Sequence, residues 1–166
     1  AGALRISQPR SYADSYPGAA ARGPLLNLTA GVEYTLAFAV KSSEARRIQV
    51  ALGEVTEVFH VSDSWSRPVV TFEAPRPASY RLLFNVGKDQ SVVWIDSIYL
   101  FRGNADVFRR DFDNATVVVN ATPSRRTVAL DGTFRRIRGT GQDAINDGST
   151  VRQVTIEPYD SAILIR

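Results

Sequence analysis

Residues 79–101, SYRLLFNVGKDQSVVWIDSIYLF, constrain this chain more than any other stretch. Two runs alternating between apolar and polar residues flank Gly-Lys-Asp-Gln, and a period of two is the mark of a strand with one face on a core. The polarity of Lys88 and Asp89 at the midpoint predicts a hairpin tip. With the loop at residues 87–90, Val86 lies opposite Ser91, and Phe84 with Val93 and Leu82 with Ile95 become cross-strand pairs on an apolar face. The same register sets Leu83 beside Trp94 and Arg81 beside Asp96 on the other face. An indole flanked by a guanidinium, a carboxylate and the amide of Asn85 is what a sugar-binding sheet needs: a pyranose stacks its C–H face on the ring, and its hydroxyls hydrogen-bond planar polar groups. The competing expectation is a Trp94 buried in the core, as strand tryptophans often are. The charged pair beside it weighs against burial.

At 166 residues the chain has room for one large or two small domains with a sizeable core. Eight Pro and eleven Gly, with Val, Thr, Tyr and Phe in short runs, predict β structure broken by frequent turns. The lack of cysteine removes disulfides, thiolate zinc sites and cysteine nucleophiles, and leaves export open, since a large β core needs no disulfide. No apolar run approaches the length that spans a bilayer, so a membrane partner is not expected, and the opening AGALRIS has no signal-peptide anatomy. The absence of methionine, a first one included, points to a processed product or a piece of a longer chain. The net charge of +3 comes almost wholly from Arg, with Lys only at 41 and 88, scattered among acids. A nucleic-acid binder would gather that charge in a stripe, so no nucleic-acid partner is expected.

Along the chain, residues 3–7 read as a short strand and residues 8–24 as a long loop that carries Tyr12 and Tyr16, candidates for ligand contact at the border of a site. Strands follow at residues 25–28 and 33–41. In the second, Tyr34, Leu36, Phe38 and Val40 form a bulky face opposite Thr35, Ala37, Ala39 and Lys41, a small face that suits the floor of a groove or close packing under a loop. Residues 47–52, 55–61 and 68–73 are the next strands, with Gly53 at the corner between the first two. Gln49 adds an amide to the polar side. His60, the only histidine, has no second ligand at metal spacing, and Trp65 is expected to seal a core edge.

The order GVEYTLAFAVKSS, RRIQVALG, SDSWSRPVVTFEA, YRLLFNVGKDQSVVWIDSIYL resembles the jelly-roll carbohydrate-binding modules attached to xylanases and glucanases. The marks are Tyr34-Thr35-Leu36 after a Gly turn, Trp65 before the following strand, and Ile95-Asp96 in the closing strand, and the resemblance covers residues 1–102. It implies a jelly-roll β-sandwich, a polysaccharide or oligosaccharide partner, and a structural calcium for which Asp96 matches the position of one acidic ligand. The opening Gly-Phe-Glu type strand, which supplies another carboxylate in that family, is missing. Trp94 is a candidate from alternation alone, since ligand aromatics vary in position within the family.

From residue 103 the texture changes to short strands at residues 106–112, 116–120, 126–130, 133–138, 151–156 and 162–165, with Asp131-Gly132 read as a hairpin turn. A piece of this size has a marginal core and leans on a neighbour. Arg109-Arg110-Asp111-Phe112, Val117-Val118-Val119-Asn120 and Ala162-Ile163-Leu164 resemble the small β-sandwich that closes many TIM-barrel glycoside hydrolases, with Asn114-Ala115 where that family has Asn-Gly. That resemblance, over residues 104–166, implies a C-terminal accessory part of a larger, secreted hydrolase, with the catalytic domain as a partner.

The expectation is therefore an all-β chain, a jelly-roll β-sandwich over residues 1–102 followed by a smaller antiparallel β-sandwich over 103–166. No pair of acids stands in a recognisable glycosidase context, and residues 143–148 lack the alternation and closing Glu of an EF-hand. No phosphate loop, nucleophile elbow or zinc signature occurs. The chain reads as non-catalytic, binding a polysaccharide through Trp94, Arg81, Asn85, Gln49, Tyr12 and Tyr16. The alternative is a pair of structural domains that buttress a catalytic barrel without touching sugar.

Overall fold

The computed structural model describes residues 2–7, 16–139 and 145–166, and Tyr12 lies outside them. The expectation of an all-β chain holds: among the described residues the regular elements are strands and a single 3-10 turn, Tyr16–Gly18, and no helix is long and apolar enough to cross a membrane. The chain divides into two compact units, Ala1–Gly103 and Asn104–Arg166.

In the first unit the strands are β1 (Leu4–Ser7), β2 (Ala20–Leu28), β3 (Glu33–Ser42), β4 (Arg46–Leu52), β5 (Val55–Val61), β6 (Val69–Glu73), β7 (Ala78–Asn85) and β8 (Val92–Arg102). They form two four-stranded antiparallel sheets, in the orders β1-β8-β3-β6 and β2-β7-β4-β5. Successive strands that alternate between facing sheets in this order make a jelly roll.

The period-two pattern decides what faces inward. Tyr34, Leu36, Phe38 and Val40 of β3 are buried with Ile48, Val50 and Leu52 of β4, Leu82 and Phe84 of β7, and Val93 and Ile95 of β8. Phe38 stands at the centre, edge-on to Phe59 at 5.4 Å and to Phe84 at 5.1 Å between ring centroids, so one ring of the first sheet interlocks with two of the second.

The expected hairpin over residues 79–101 does not exist. β7 pairs with β2 and β4, whereas β8 pairs with β1 and β3, so the apolar residues of the two runs meet across the core and not along a ladder. Residues 86–91 cross from one sheet to the other. The crossing is held by Arg46, a buried guanidinium whose Nη1 donates to Asp89 O at 2.9 Å and to Ser91 Oγ at 2.7 Å, and whose Nη2 donates to Val86 O. Arg46 falls between the strands expected at residues 33–41 and 47–52, and its partners are mostly backbone carbonyls that no side-chain pattern announces.

Two other expectations change. The segment read as loop up to Pro24 already contains β2, which tolerates Gly23 and Pro24 because a bulge between Arg22 and Leu25 falls there on the edge of the sheet. Trp65 seals no core: it is 47% exposed, with Lys41 Nζ 5.2 Å from its ring.

The second unit consists of β9 (Val107–Asp111), β10 (Ala115–Asn120), β11 (Arg126–Arg136), β12 (Thr150–Ile156) and β13 (Asp160–Ile165), joined as one antiparallel sheet in the order β12-β11-β13-β10-β9. Asp131-Gly132 is not a hairpin turn. It lies in an irregularity of β11 between Ala129 and Phe134, and the strand resumes pairing with β12 beyond it. The sheet surrounds a small core of Val118, Phe134, Val154, Ile156 and Leu164.

Asn120, fully buried, closes one end of that core. Its Nδ2 donates to Ser124 O, Ile156 O and Glu157 O at 2.8, 3.2 and 2.9 Å, and its Oδ1 accepts from Thr122 N and Oγ1 at 3.1 and 2.6 Å. At the other end Arg109 bridges Asp111 and Asp131, both at 2.8 Å, and its guanidinium lies 5.3 Å from the Phe134 ring.

Gly53 takes the first position of the two-residue turn between β4 and β5 with a φ of +63°, and a Cβ there would run into the Tyr80 ring. Gly53→Ala is expected to destabilise the protein by about 1–2 kcal/mol from the left-handed backbone alone, and by more once the overlap with Tyr80 is added, read by urea unfolding. The acids at Arg109 give a second expectation. A hydrogen bond from Thr116, then the Arg109 guanidinium, holds Asp111 below the ordinary carboxylate range, and Arg109 does the same for Asp131. Both groups bind protons more weakly folded than unfolded, so their stabilisation is present above the unfolded pKa near 4 and is lost as pH falls through the lower folded values. Thermal unfolding at pH 3 and pH 6 is expected to show a smaller pH dependence in Arg109→Gln than in the parent.

Candidate functional site

Because Ile48, Val50, Leu82 and Phe84 point into the core, the residues between them point outward from the sheet β2-β7-β4-β5. Ladder partners share a face, so the register fixes the outer surface row by row. Ala20, Asn85, Gln49 and Val58 make one row; Arg22, Leu83, Ala51 and Thr56 make the next. Beyond the second row Leu25 stands beside Arg81, and beyond the first Arg47 stands beside His60.

At the centre Asn85 Nδ2 donates to Gln49 Oε1 at 2.9 Å. Asn85 is buried and Gln49 half-buried, so the pair lies in the floor of the face with the outer amide within reach of solvent. That bond fixes the orientation of both amides. It leaves the Gln49 amino group as a donor and the Asn85 carbonyl as an acceptor, a planar array complementary to vicinal hydroxyls. Leu83 and Ala51 give the floor its apolar part, half-buried and buried. Arg81 is exposed, and its Nη1 donates to Gly23 O at 3.2 Å.

Tyr16 stands at the margin of the first row. Its carbonyl accepts from Gly87 N at 2.8 Å, the neighbouring Ala19 O accepts from Val86 N at 2.7 Å, and its ring lies 5.3 Å from Lys88 Nζ. Next to Arg47 and His60 an open depression of about 700 Å³ is lined also by Ser62, Ser66, Lys88 and Asp89.

The structure thus brings together Gln49, Arg81 and Asn85, with Tyr16 at the border, and separates them from Trp94 and Asp96. The expected face of Arg81, Leu83, Asn85, Trp94 and Asp96 is divided between opposite sides of the sandwich, since β7 and β8 belong to different sheets. Trp94 faces outward from its own sheet, half-buried, with Arg5 and Lys41 as its ladder partners and Lys41 Nζ 5.1 Å from its ring. Lys41 is thereby placed against the rings of both tryptophans.

Asp96 lies on that same outer side beside Ala39, and its Oδ1 accepts from Ser97 N at 2.6 Å, where the strand takes a φ of +50°. Among the described residues no group of three Asp, Glu or His side chains gathers at a spacing that would hold a metal ion.

Sequence reasoning missed Arg22, Arg47 and His60 as companions of the amide pair. Alternation could have found Arg47, two residues before Gln49 on the same strand. Arg22 was hidden by the bulge, which made its strand read as loop.

No protein-family model matches the sequence, and no curated protein sequence matches it at a significant level. Solved structures do. The carbohydrate-binding module of PbXyn10C, in its apo form, is 25% identical with a TM-score of 0.52, over 61% of this chain and 69% of that one. The apo BiXyn10A CBM1 is 16% identical with a TM-score of 0.53, over 61% and 74% of the two chains. The N-terminal cellulose-binding domain of Cellulomonas fimi β-1,4-glucanase C is 16% identical with a TM-score of 0.51, over 63% and 80%. The jelly roll assembled by β1 to β8 is therefore similar in fold to carbohydrate-binding modules of xylanases and a glucanase.

Proposed function

We propose that this chain is a non-catalytic polysaccharide-binding module, an accessory part of a secreted glycoside hydrolase, and that its saccharide surface is the outer face of the sheet β2-β7-β4-β5. The observation that carries the reading is the Gln49–Asn85 amide pair, oriented by its own hydrogen bond and set in a partly apolar floor. Its two remaining polar edges suit adjacent hydroxyls of a sugar, Arg81 and Tyr16 border it, and the fold it sits on is the one used by the similar modules. Trp94, on the other sheet, is not part of this surface. Binding by hydrogen bonds on an open face is weak, on the order of micromolar to millimolar.

A second reading, in which the chain buttresses a catalytic barrel without touching sugar, draws on the second unit. The outer side of β10 carries Val117 beside Ile163 and Val119 beside Phe108; Ile163 is 47% and Phe108 52% exposed. The inward side of β10 holds Val118 between the buried Thr116 and Asn120, so the exposed outer side is the more apolar of the two, as in a patch that a partner covers. This unit is proposed as the part that packs on the catalytic domain, which the first reading also accommodates.

Affinity electrophoresis of the whole chain on xylan, β-glucan and mannan gels separates the two readings. The parent is expected to be retarded on at least one glycan. Gln49→Ala is expected to weaken that binding about tenfold, the equivalent of about 1.4 kcal/mol, while Trp94→Ala leaves it unchanged. No retardation on any glycan contradicts the first reading and leaves the second.

A further inference from the structure

The outer face of the sheet β2-β7-β4-β5 carries charge of one sign. Arg22 on β2, Arg81 on β7 and Arg47 on β4 all point outward and are exposed, with the exposed imidazole of His60 on β5 beside Arg47. The chain has 17 acidic residues, yet these four strands hold only Glu57, and its ladder partner is Val50, which turns it to the core side. None of the three arginines has an ion-pair partner among the described residues, and Arg81 donates one bond to Gly23 O. At the margin, Asp89 lines the depression beside Arg47 and His60. The net charge of the whole chain is only +3, so the face concentrates cations beyond what composition requires.

The spacing of these cations matters. Arg47 lies one outward step beyond Gln49, and Arg81 lies two outward steps beyond Asn85 in the opposite direction, with the Arg22 row between. Each outward step along a strand is about 6.8 Å, so the Arg47 and Arg81 rows are about 20 Å apart. No single sugar spans that distance. Guanidinium groups receive carboxylates through paired N–H donors, and an unpaired exposed Arg retains that capacity. The outward positions of the four strands hold no Phe, Tyr or Trp, and Tyr16 alone at the margin cannot stack successive nucleic-acid bases.

We propose that this face binds an acidic, uronate-bearing polysaccharide, with Arg47, Arg81 and Arg22 receiving carboxylates of sugar residues along the polymer while the Gln49–Asn85 pair meets hydroxyls between them. The proposal rests on the polysaccharide-binding function argued above and adds the charge of the ligand to it.

The test is binding of the full chain to glucuronoxylan and polygalacturonate, each compared with the same polymer after its carboxyl groups have been reduced to alcohols. At low salt at least one acidic polymer is expected to bind about tenfold more tightly than its reduced form. Arg47→Gln and Arg81→Gln are each expected to weaken the acidic polymer about three- to tenfold and the reduced polymer by less, so that the preference for the acidic form shrinks in both. In about 1 M salt, where the screening length is about 3 Å, the preference is expected to vanish. All three arginines are exposed, so unchanged thermal unfolding of the variants shows that the fold is retained. Equal binding of acidic and reduced polymers overturns this proposal and leaves the polysaccharide-binding reading in place. Retention of DNA as tight as that of the acidic polymers also overturns it, because the face would then answer to charge alone. Binding to no polymer of any kind overturns both.

Discussion

The passage of residues 86–91 from one sheet to the other is the constraint on which the rest of the first unit depends. It carries the chain from β7 to β8 across the end of the sandwich, and a buried Arg46 holds it by donating to the backbone of Val86 and Asp89 and to the Ser91 hydroxyl. A buried guanidinium is tolerable only with its donors satisfied, and carbonyl oxygens at fixed positions satisfy them. Had the chain turned back on itself there, Trp94 would lie beside Leu83. Because it crosses, Leu82 and Phe84 of one run and Val93 and Ile95 of the other enter the same core from opposite sheets, and their outward residues part company.

Much of the fold was legible in the sequence, because alternation depends on burial and burial is written residue by residue. Tyr34, Leu36, Phe38 and Val40 were read as one face and are in the core, as are Leu82, Phe84, Val93 and Ile95. The pairing was not legible. Alternation states which side of a strand is apolar and is silent on whether the next strand lies beside it or across the core from it, and both arrangements bury the same side chains. The same limit applied to Asp131-Gly132, whose turn chemistry serves equally in a bulge, and to Gly23-Pro24, which punctuates an edge strand as readily as it ends a loop.

For the site, the consequence was partial. Gln49, Arg81 and Asn85 were inferred from their positions in alternating runs, and they stand on one surface. Trp94 was added through a register that does not form, and it lies against Lys41 on the other sheet together with Trp65. What the sequence could not convey is that arginines from three separate strands share the face that holds the amide pair, since that sharing is a property of strand order. In the function proposed above, hydroxyl recognition comes from the oriented amides and charge selection from the guanidinium groups. The small second unit has an apolar strand face and a core closed by Asn120.

The most direct measurement is an NMR titration of the full chain with uronate-bearing xylan oligosaccharides, following side-chain amide, guanidinium and indole resonances together. The account predicts shifts at the Gln49 and Asn85 amides and at Arg47 and Arg81, with the Trp65 and Trp94 indole signals unmoved. Shifts confined to the two indoles, with the amide pair silent, would contradict it.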